Sequence, residues 1–303
     1  VIFKCSLTNG VLIRDRRVNW QAMQDRNLAQ TVVSDDGKVG LFFSIATGNV
    51  GYQFRLQTTN EGSVIAPKET LAVRAANFDN HHVGRLLSVS PSGMGANSID
   101  ILTAVDLGQG DEITTWNDGG AGDVMTGRGA LTCISSDSKH VYIGTRNGSV
   151  LKLKADLSVA LNQTPADANG EIATCLSVSP DGRYLAVGNM AGDLLVLDVE
   201  SWKPIGSRKI HRGRCSKIIW EAGDSLLSFG ADGNVFKFVI AGETVDKTLD
   251  IRVQWSVSFP RDIESAGATG QRIWLQLLGE RAIRSYPRKS FLLNATEMTD
   301  IDQ

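Results

Sequence analysis

The chain has 303 residues, 42% hydrophobic, 21% charged and 7% aromatic, and its 31 basic and 33 acidic side chains leave a formal charge of -2. So even a balance excludes a long-range field that would draw the whole molecule onto nucleic acid or a membrane, and confines charge-driven binding to local patches. The 4 Cys include no CxxC pair, which excludes a disulfide scaffold and a zinc site of usual spacing and points to an intracellular, reducing compartment, cytoplasmic or nuclear.

In chain order, Val1 stands where Met is expected, which points to a processed or trimmed chain, and the segment to Cys5 lacks a secretory pattern. Nowhere does an apolar run approach the roughly 18 residues of a membrane-spanning helix. Val1 to Arg16 reads as strand, Asn9-Gly10 turn, strand. Gln30 to Phe54 repeats the pattern with turns at Asp36-Gly37 and Thr47-Gly48-Asn49, and Arg85 to Trp116 repeats it around an insertion from Ser92 to Ser98. The plainest copies are Thr132 to Lys154, Thr174 to Val199 and Ser216 to Val239. Each is strand, polar turn, strand, Gly-containing tight turn, strand. A weaker copy covers Val253 to Tyr286, with VQWSVSF read as its first strand, and Ser290 to Ala295 is expected as its outer strand.

The turn glycines Gly148, Gly192 and Gly233 lie 44 and 41 residues apart. A period of about 40 to 45 with short strands is the signature of propeller blades, and about seven such units fill the chain. Alternation at Leu176/Val178, Leu185/Val187 and Leu195/Leu197 fits sheet rather than helix. The expected fold is therefore all-β: one domain, a seven-bladed propeller with blades at 26–60, 84–120, 128–160, 171–208, 211–248 and 251–296. Residues 1–24 join a seventh, composite blade. Too little chain remains to complete it, so closure is expected to be imperfect, finished by residues beyond the chain's ends or by a partner's strand.

Leu176-Ser-Val-Ser-Pro-Asp-Gly-Arg-Tyr-Leu-Ala-Val-Gly188 and Ala231-Asp-Gly-Asn-Val-Phe-Lys-Phe238 resemble the WD-repeat family of β-propellers, and the resemblance covers nearly the whole chain. It implies a structural side-chain network, here matched by His211, Ser228 and Asp232, with Phe238 where the family has Trp. Trp116, with Thr103 and His82, is the other remnant. HVYIGTRNGSVLKL and YLAVGNMAGDLLVLD also resemble propellers of the echinoderm-microtubule-associated-like proteins. The family resemblance implies a non-catalytic interaction scaffold in a multiprotein assembly, without naming a partner.

Residues that could carry chemistry are sparse. His81, His82, His140 and His211 show no nucleophile–base arrangement, and Asp111, Asp118 and Asp123 read as solvated loop charge rather than a metal ring. No Walker loop or dinucleotide fingerprint is present, so neither a cofactor nor a metal is expected. Cys133, Cys175 and Cys215 fall in register on successive first strands, where small buried side chains suit a crowded channel, and different blades are expected to hold them too far apart to bond. One pattern recurs: Arg26, Arg85, Arg128, Arg212, Arg214 and Arg252 stand ahead of first strands, and Arg146 lies in a tight turn of the same rim. An Arg-rich top face of this kind suits an acidic or phosphorylated protein segment. The alternatives are a ribonucleoprotein subunit contacting RNA phosphate, which the net charge does not favour, a microtubule- or cilium-associated propeller, and a propeller hydrolase.

Overall fold

The computed structural model describes strands within residues 3–117 and, with short gaps, residues 131–291; side chains are described at Leu87 and Leu102 and over most of 132–291. β1 (Phe3–Cys5) and β2 (Leu12–Arg14) form a pair. β3 (Leu28–Val33), β4 (Val39–Ala46) and β5 (Gly51–Thr58) form the next sheet, followed by β6 (Ala75–Phe78), β7 (Arg85–Ser92), β8 (Ile99–Asp106) and β9 (Asp111–Asn117). Then come β10 (Leu131–Ser136), β11 (His140–Thr145), β12 (Val150–Lys154) and β13 (Ala160–Gln163), and β14 (Ala173–Val178), β15 (Tyr184–Asn189), β16 (Asp193–Asp198) and β17 (Lys203–Lys209). The last two sheets are β18 (Cys215–Trp220), β19 (Ser225–Gly230), β20 (Asn234–Glu243) and β21 (Leu249–Ser258), and β22 (Ile263–Ala268), β23 (Arg272–Leu277) and β24 (Ile283–Pro287).

Every sheet is an antiparallel meander. The first strands β3, β6, β10, β14, β18 and β22 lie side by side in chain order, and β22 returns to β3, which makes the fold a β-propeller. The count of seven blades is not established, because β1 and β2 supply two short strands and β22 meets β3 directly. On either side of that junction the sheets β22–β24 and β3–β5 have three described strands each, consistent with incomplete closure.

The blade boundaries need correction at two places: the blade expected at 84–120 begins with β6 at Ala75, and the last boundary shifts as well. VQWSVSF belongs to β21, the outer strand of the blade that begins at Cys215, and the next blade begins at Ile263. β20 and β21 are ten residues each, an outer hairpin long enough to mimic a new blade. Ser290, expected in a strand, closes a 3-10 turn that follows Pro287, whose missing N–H cannot extend the ladder. Phe291 then packs against Phe229, Trp255 and Tyr286.

Burial follows from stacking sheets around an axis. The second strands β11, β15 and β19 face neighbours on both sides and are buried almost throughout, whereas the outer strand β17 is largely exposed. Core clusters accordingly span adjacent blades: Tyr142 and Val150 pack with Leu176 and Leu197, and Ala186 and Val196 with Ile218 and Phe238. First-strand hydroxyls also stitch one blade to the next. Thr132 Oγ1 donates to Ala173 O at 2.5 Å, Thr174 Oγ1 to Cys215 O at 2.6 Å and Ser216 Oγ to Ile263 O at 2.6 Å. Each bond satisfies a main-chain acceptor on the innermost strand of a sheet, which has no further strand to pair with.

Candidate partner-binding face

The segments entering the first strands and the turns joining second and third strands share one edge of the propeller. Main-chain bonds hold them together: Ile210 N and His211 N both donate to Gly192 O at 3.0 Å, Phe259 N to Gly233 O at 2.8 Å and Leu278 N to Asp262 O at 2.8 Å. Gly192 has φ +92°, a left-handed turn conformation, and a side chain there would run into the carbonyls of His211 and Gly213.

His211 anchors this edge. Its Nδ1 lies 3.0 Å from Asp232 Oδ1 and its Nε2 2.8 Å from Ser228 Oγ. Asp232 also accepts from Arg212 N at 2.9 Å and Asn234 N at 3.1 Å, so one carboxylate ties the segment entering β18 to the β19–β20 turn. Burial pushes the His211 imidazole below its ordinary value against the opposing pull of Asp232. Burial opposes ionisation of Asp232, but main-chain and side-chain hydrogen bonds outweigh it and hold the carboxyl below the usual range. A neutral imidazole therefore donates Nδ1–H to a carboxylate and accepts the Ser228 hydroxyl. The order Ser, His, Asp matches a hydrolytic triad, yet Ser228 is 0% exposed and His211 2%, so no substrate reaches the hydroxyl. Phe238 is buried in the core, and the ring against His211 is Phe236, with centroids 5.2 Å apart. In place of an indole donor, Ser228 Oγ meets Cys215 Sγ at 3.3 Å. Side chains of Trp116 and Thr103, and all of His82, lie outside the described residues.

The arginines divide. Arg146 (β11–β12 turn) and Arg212 are exposed on the shared edge, and Arg214 is half-buried there with Nη2 donating to Glu264 O at 3.4 Å. Arg252 is not on the rim: it lies on β21, ion-paired with Asp250 at 2.5 Å. Arg85 begins β7, a second strand opposite Asp106, because β6 precedes it as the first strand. Arg26 and Arg128 lie outside the described residues, as do His81, Asp118 and Asp123 and the side chain of Asp111. The structure adds Arg261, exposed just ahead of β22, with Nη1 donating to Leu278 O at 3.4 Å. Its signal in the sequence was its place two residues before a first strand, hidden while β21 was read as that strand.

Arg146, Arg212 and Arg261 are in no ion pair among the described residues; of the carboxylates on this edge, Asp193 is engaged by Lys209 at 3.8 Å and Glu280 by Arg284 at 2.7 Å, while Asp262, beside Arg261, is exposed. The same edge exposes Met190 (42%) and Leu278 (49%), in the second-to-third-strand turns of their blades. Among the described residues no three His, Cys, Asp or Glu converge as a metal site, and no helix is long and apolar enough to cross a membrane.

A family model described as the anaphase-promoting complex subunit 4 WD40 domain matches residues 129–223. The meiotic recombination protein rec14 of Schizosaccharomyces pombe is 21% identical over 159 residues, 50% of this chain and 52% of that protein. The WD repeat-containing protein C9G1.05 of the same yeast is 41% identical over 56 residues, 18% of this chain and 9% of that protein. The chain thus spans about half of the first relative and much less of the second. Among solved structures, the β-propeller domain of Myceliophteria thermophila Cps50 (Swd1) superposes with a TM-score of 0.63 at 13% identity, covering 88% of this chain and 84% of that one. Together with the His211 network and the radial sheets, these matches support a divergent WD-repeat propeller, and the fold is that of a β-propeller.

Proposed function

We propose that the chain is a non-catalytic scaffold of a multiprotein assembly, and that it receives an acidic or phosphorylated segment of a protein partner on the edge carrying Arg146, Arg212, Arg214 and Arg261. The observation that carries this reading is the trio Arg146, Arg212 and Arg261, guanidinium groups outside any described ion pair that share one edge with the exposed Met190 and Leu278. Guanidinium forks grip carboxylate and phosphate oxygens with two parallel bonds, and adjacent apolar side chains supply contact area that water-exposed charge pairs alone do not. WD-repeat propellers commonly act as interaction scaffolds, and the matching family model takes its name from a complex subunit. The test titrates the protein with a labelled peptide of alternating Glu and Ser and with its phosphoserine counterpart. Saturable binding that Arg212→Glu weakens is expected. No saturable binding by either peptide, or binding indifferent to Arg212→Glu, overturns the proposal.

A further inference from the structure

Cys133, Cys175 and Cys215 stand opposite Gly144, Gly188 and Gly230 on the neighbouring second strands, the same Cys–Gly pairing in three consecutive blades. Each pairing adjoins a register shift in the first strand, and all three thiols are free and buried. The glycine opposite Cys175 makes room for more than its own partner. A methyl group at Gly188 would come within 2.7 Å of Cys175 Sγ and 2.6 Å of Cys215 Sγ, so the missing side chain is the space into which sulfurs from two blades converge. Cys175 Sγ lies 3.5 Å from Cys215 Sγ, which corrects the expectation that separate blades keep these thiols apart. The equivalent space beside Gly144 is filled by Cys133 Sγ and the Ala173 methyl, so the preceding junction pairs a thiol with a carbon.

We propose that Cys175 and Cys215 are an oxidisable pair that crosslinks the inner strands of two adjacent blades, with hydrogen peroxide or a like two-electron peroxide as oxidant. Of the two, Cys175 is 5% exposed and Cys215 0%, so within the pair the first attack falls to Cys175; Cys133, 8% exposed, has the Ala173 methyl where Cys175 has a second sulfur. Its sulfur attacks one peroxide oxygen. The O–O bond breaks, an S–O bond forms, and the departing hydroxide leaves as water with the Cys175 thiol proton. Cys215 sulfur then attacks Cys175 sulfur. The S–S bond forms as the S–O bond breaks, and the second hydroxide leaves as water with the Cys215 proton. Two thiols lose two electrons and the peroxide gains them. The sulfurs must close from 3.5 Å to about 2.0 Å, a short approach in the space that Gly188 leaves open.

The electrostatics favour this order. Burial opposes ionisation of Cys175, but the hydrogen bond with Cys215 and the charge of Lys217 outweigh it and bring the thiol below its ordinary range. That same bond, with burial, pushes Cys215 well above it. Cys133, pushed up to about 12 chiefly by burial, stays a thiol. The thiolate is the attacking form, and a neighbouring thiol resolves the sulfenic acid.

The test treats the whole folded chain with hydrogen peroxide, alkylates the remaining thiols under denaturing conditions and maps the peptides by mass. The expected product joins Cys175 to Cys215 with loss of two hydrogens, while Cys133 is alkylated. In Cys215→Ser, a sulfenic acid on Cys175 should accumulate and be trapped by dimedone; in Gly188→Ala the crosslink should fall severalfold. Full alkylation of both thiols after treatment, a linkage of Cys175 to any other cysteine, or over-oxidation of Cys175 to the same extent with and without Cys215 overturns the proposal. The wild-type map decides even where a variant fails to fold.

Discussion

His211 Nε2 lies 2.8 Å from Ser228 Oγ, and through this contact the segment entering β18 is fastened to the middle of β19. Both groups are buried, so removing either leaves a polar atom without its partner, at a cost of about 1 to 3 kcal/mol. His211→Ala and Ser228→Ala should each lower stability to denaturant by that order. Both should leave peptide binding by the folded fraction unchanged. Loss of binding at unchanged stability would move His211 from scaffold to site.

The hydroxyl stitches between blades make a separate prediction. Thr174→Val keeps the side-chain shape and removes the donor to Cys215 O, which lies 2.6 Å away in the wild type. Stability should fall by about 0.5 to 1.5 kcal/mol, since the carbonyl loses its hydroxyl donor but keeps the weaker Cys175 thiol at 3.5 Å. Thr132→Val should do the same at the preceding junction. The two losses share no partner and should add within roughly 0.5 kcal/mol in the double variant, measured by urea denaturation.

Acid should unfold the protein in two stages. The His211 and His140 imidazoles are both held below their ordinary 6.5, chiefly by burial, so the unfolded chain takes up protons more readily than the folded one. Their contribution is full above about pH 6.5 and is lost as pH falls from there through the depressed folded values. Asp137, Asp181, Asp198 and Asp232 are held below 3.8 by hydrogen bonds that outweigh burial, so a second loss begins below about that pH. Stability measured against pH should show both stages, and His211→Ala should flatten the first. A flat profile between pH 6.5 and 5 in the wild type would contradict the neutral, buried His211, by the same linkage.

The radial architecture was legible because its signals are local. Gly148, Gly192 and Gly233 recur with the blade and do adopt positive φ, and Asp232 stands beside its glycine in the turn that His211 reaches. Relations between blades were not local. VQWSVSF alternates like any strand, and only its pairing with β20 shows that it ends one blade rather than beginning the next. That single shift carried Arg252 onto a supposed rim and hid Arg261. The four-residue β6 was passed over for the same reason, which made Arg85 look like the residue ahead of a first strand. Nor could spacing reveal that Gly188 lets Cys175 and Cys215 meet, because that depends on how far two sheets approach around the axis.

Placement of the arginines gives the sharpest test of the interaction face. Arg261 and Arg252 are nine positions apart, yet one stands exposed on the shared edge and the other lies on an outer strand, bonded to Asp250 at 2.6 Å through Nε. If an acidic segment docks on the edge, Arg261→Ala should weaken it, and Arg261→Glu should weaken it further by adding repulsion to the lost contact. Arg252→Glu should leave binding unchanged, since the pair it breaks is exposed and screened by water. Raising salt should weaken wild-type binding, since the Debye length falls from about 10 Å at 0.1 M to about 3 Å at 1 M. Fluorescence anisotropy of the labelled Glu/Ser peptide at two salt concentrations reads all of these effects. Equal losses for Arg252→Glu and Arg261→Glu would place binding on the circumference, where β21 lies.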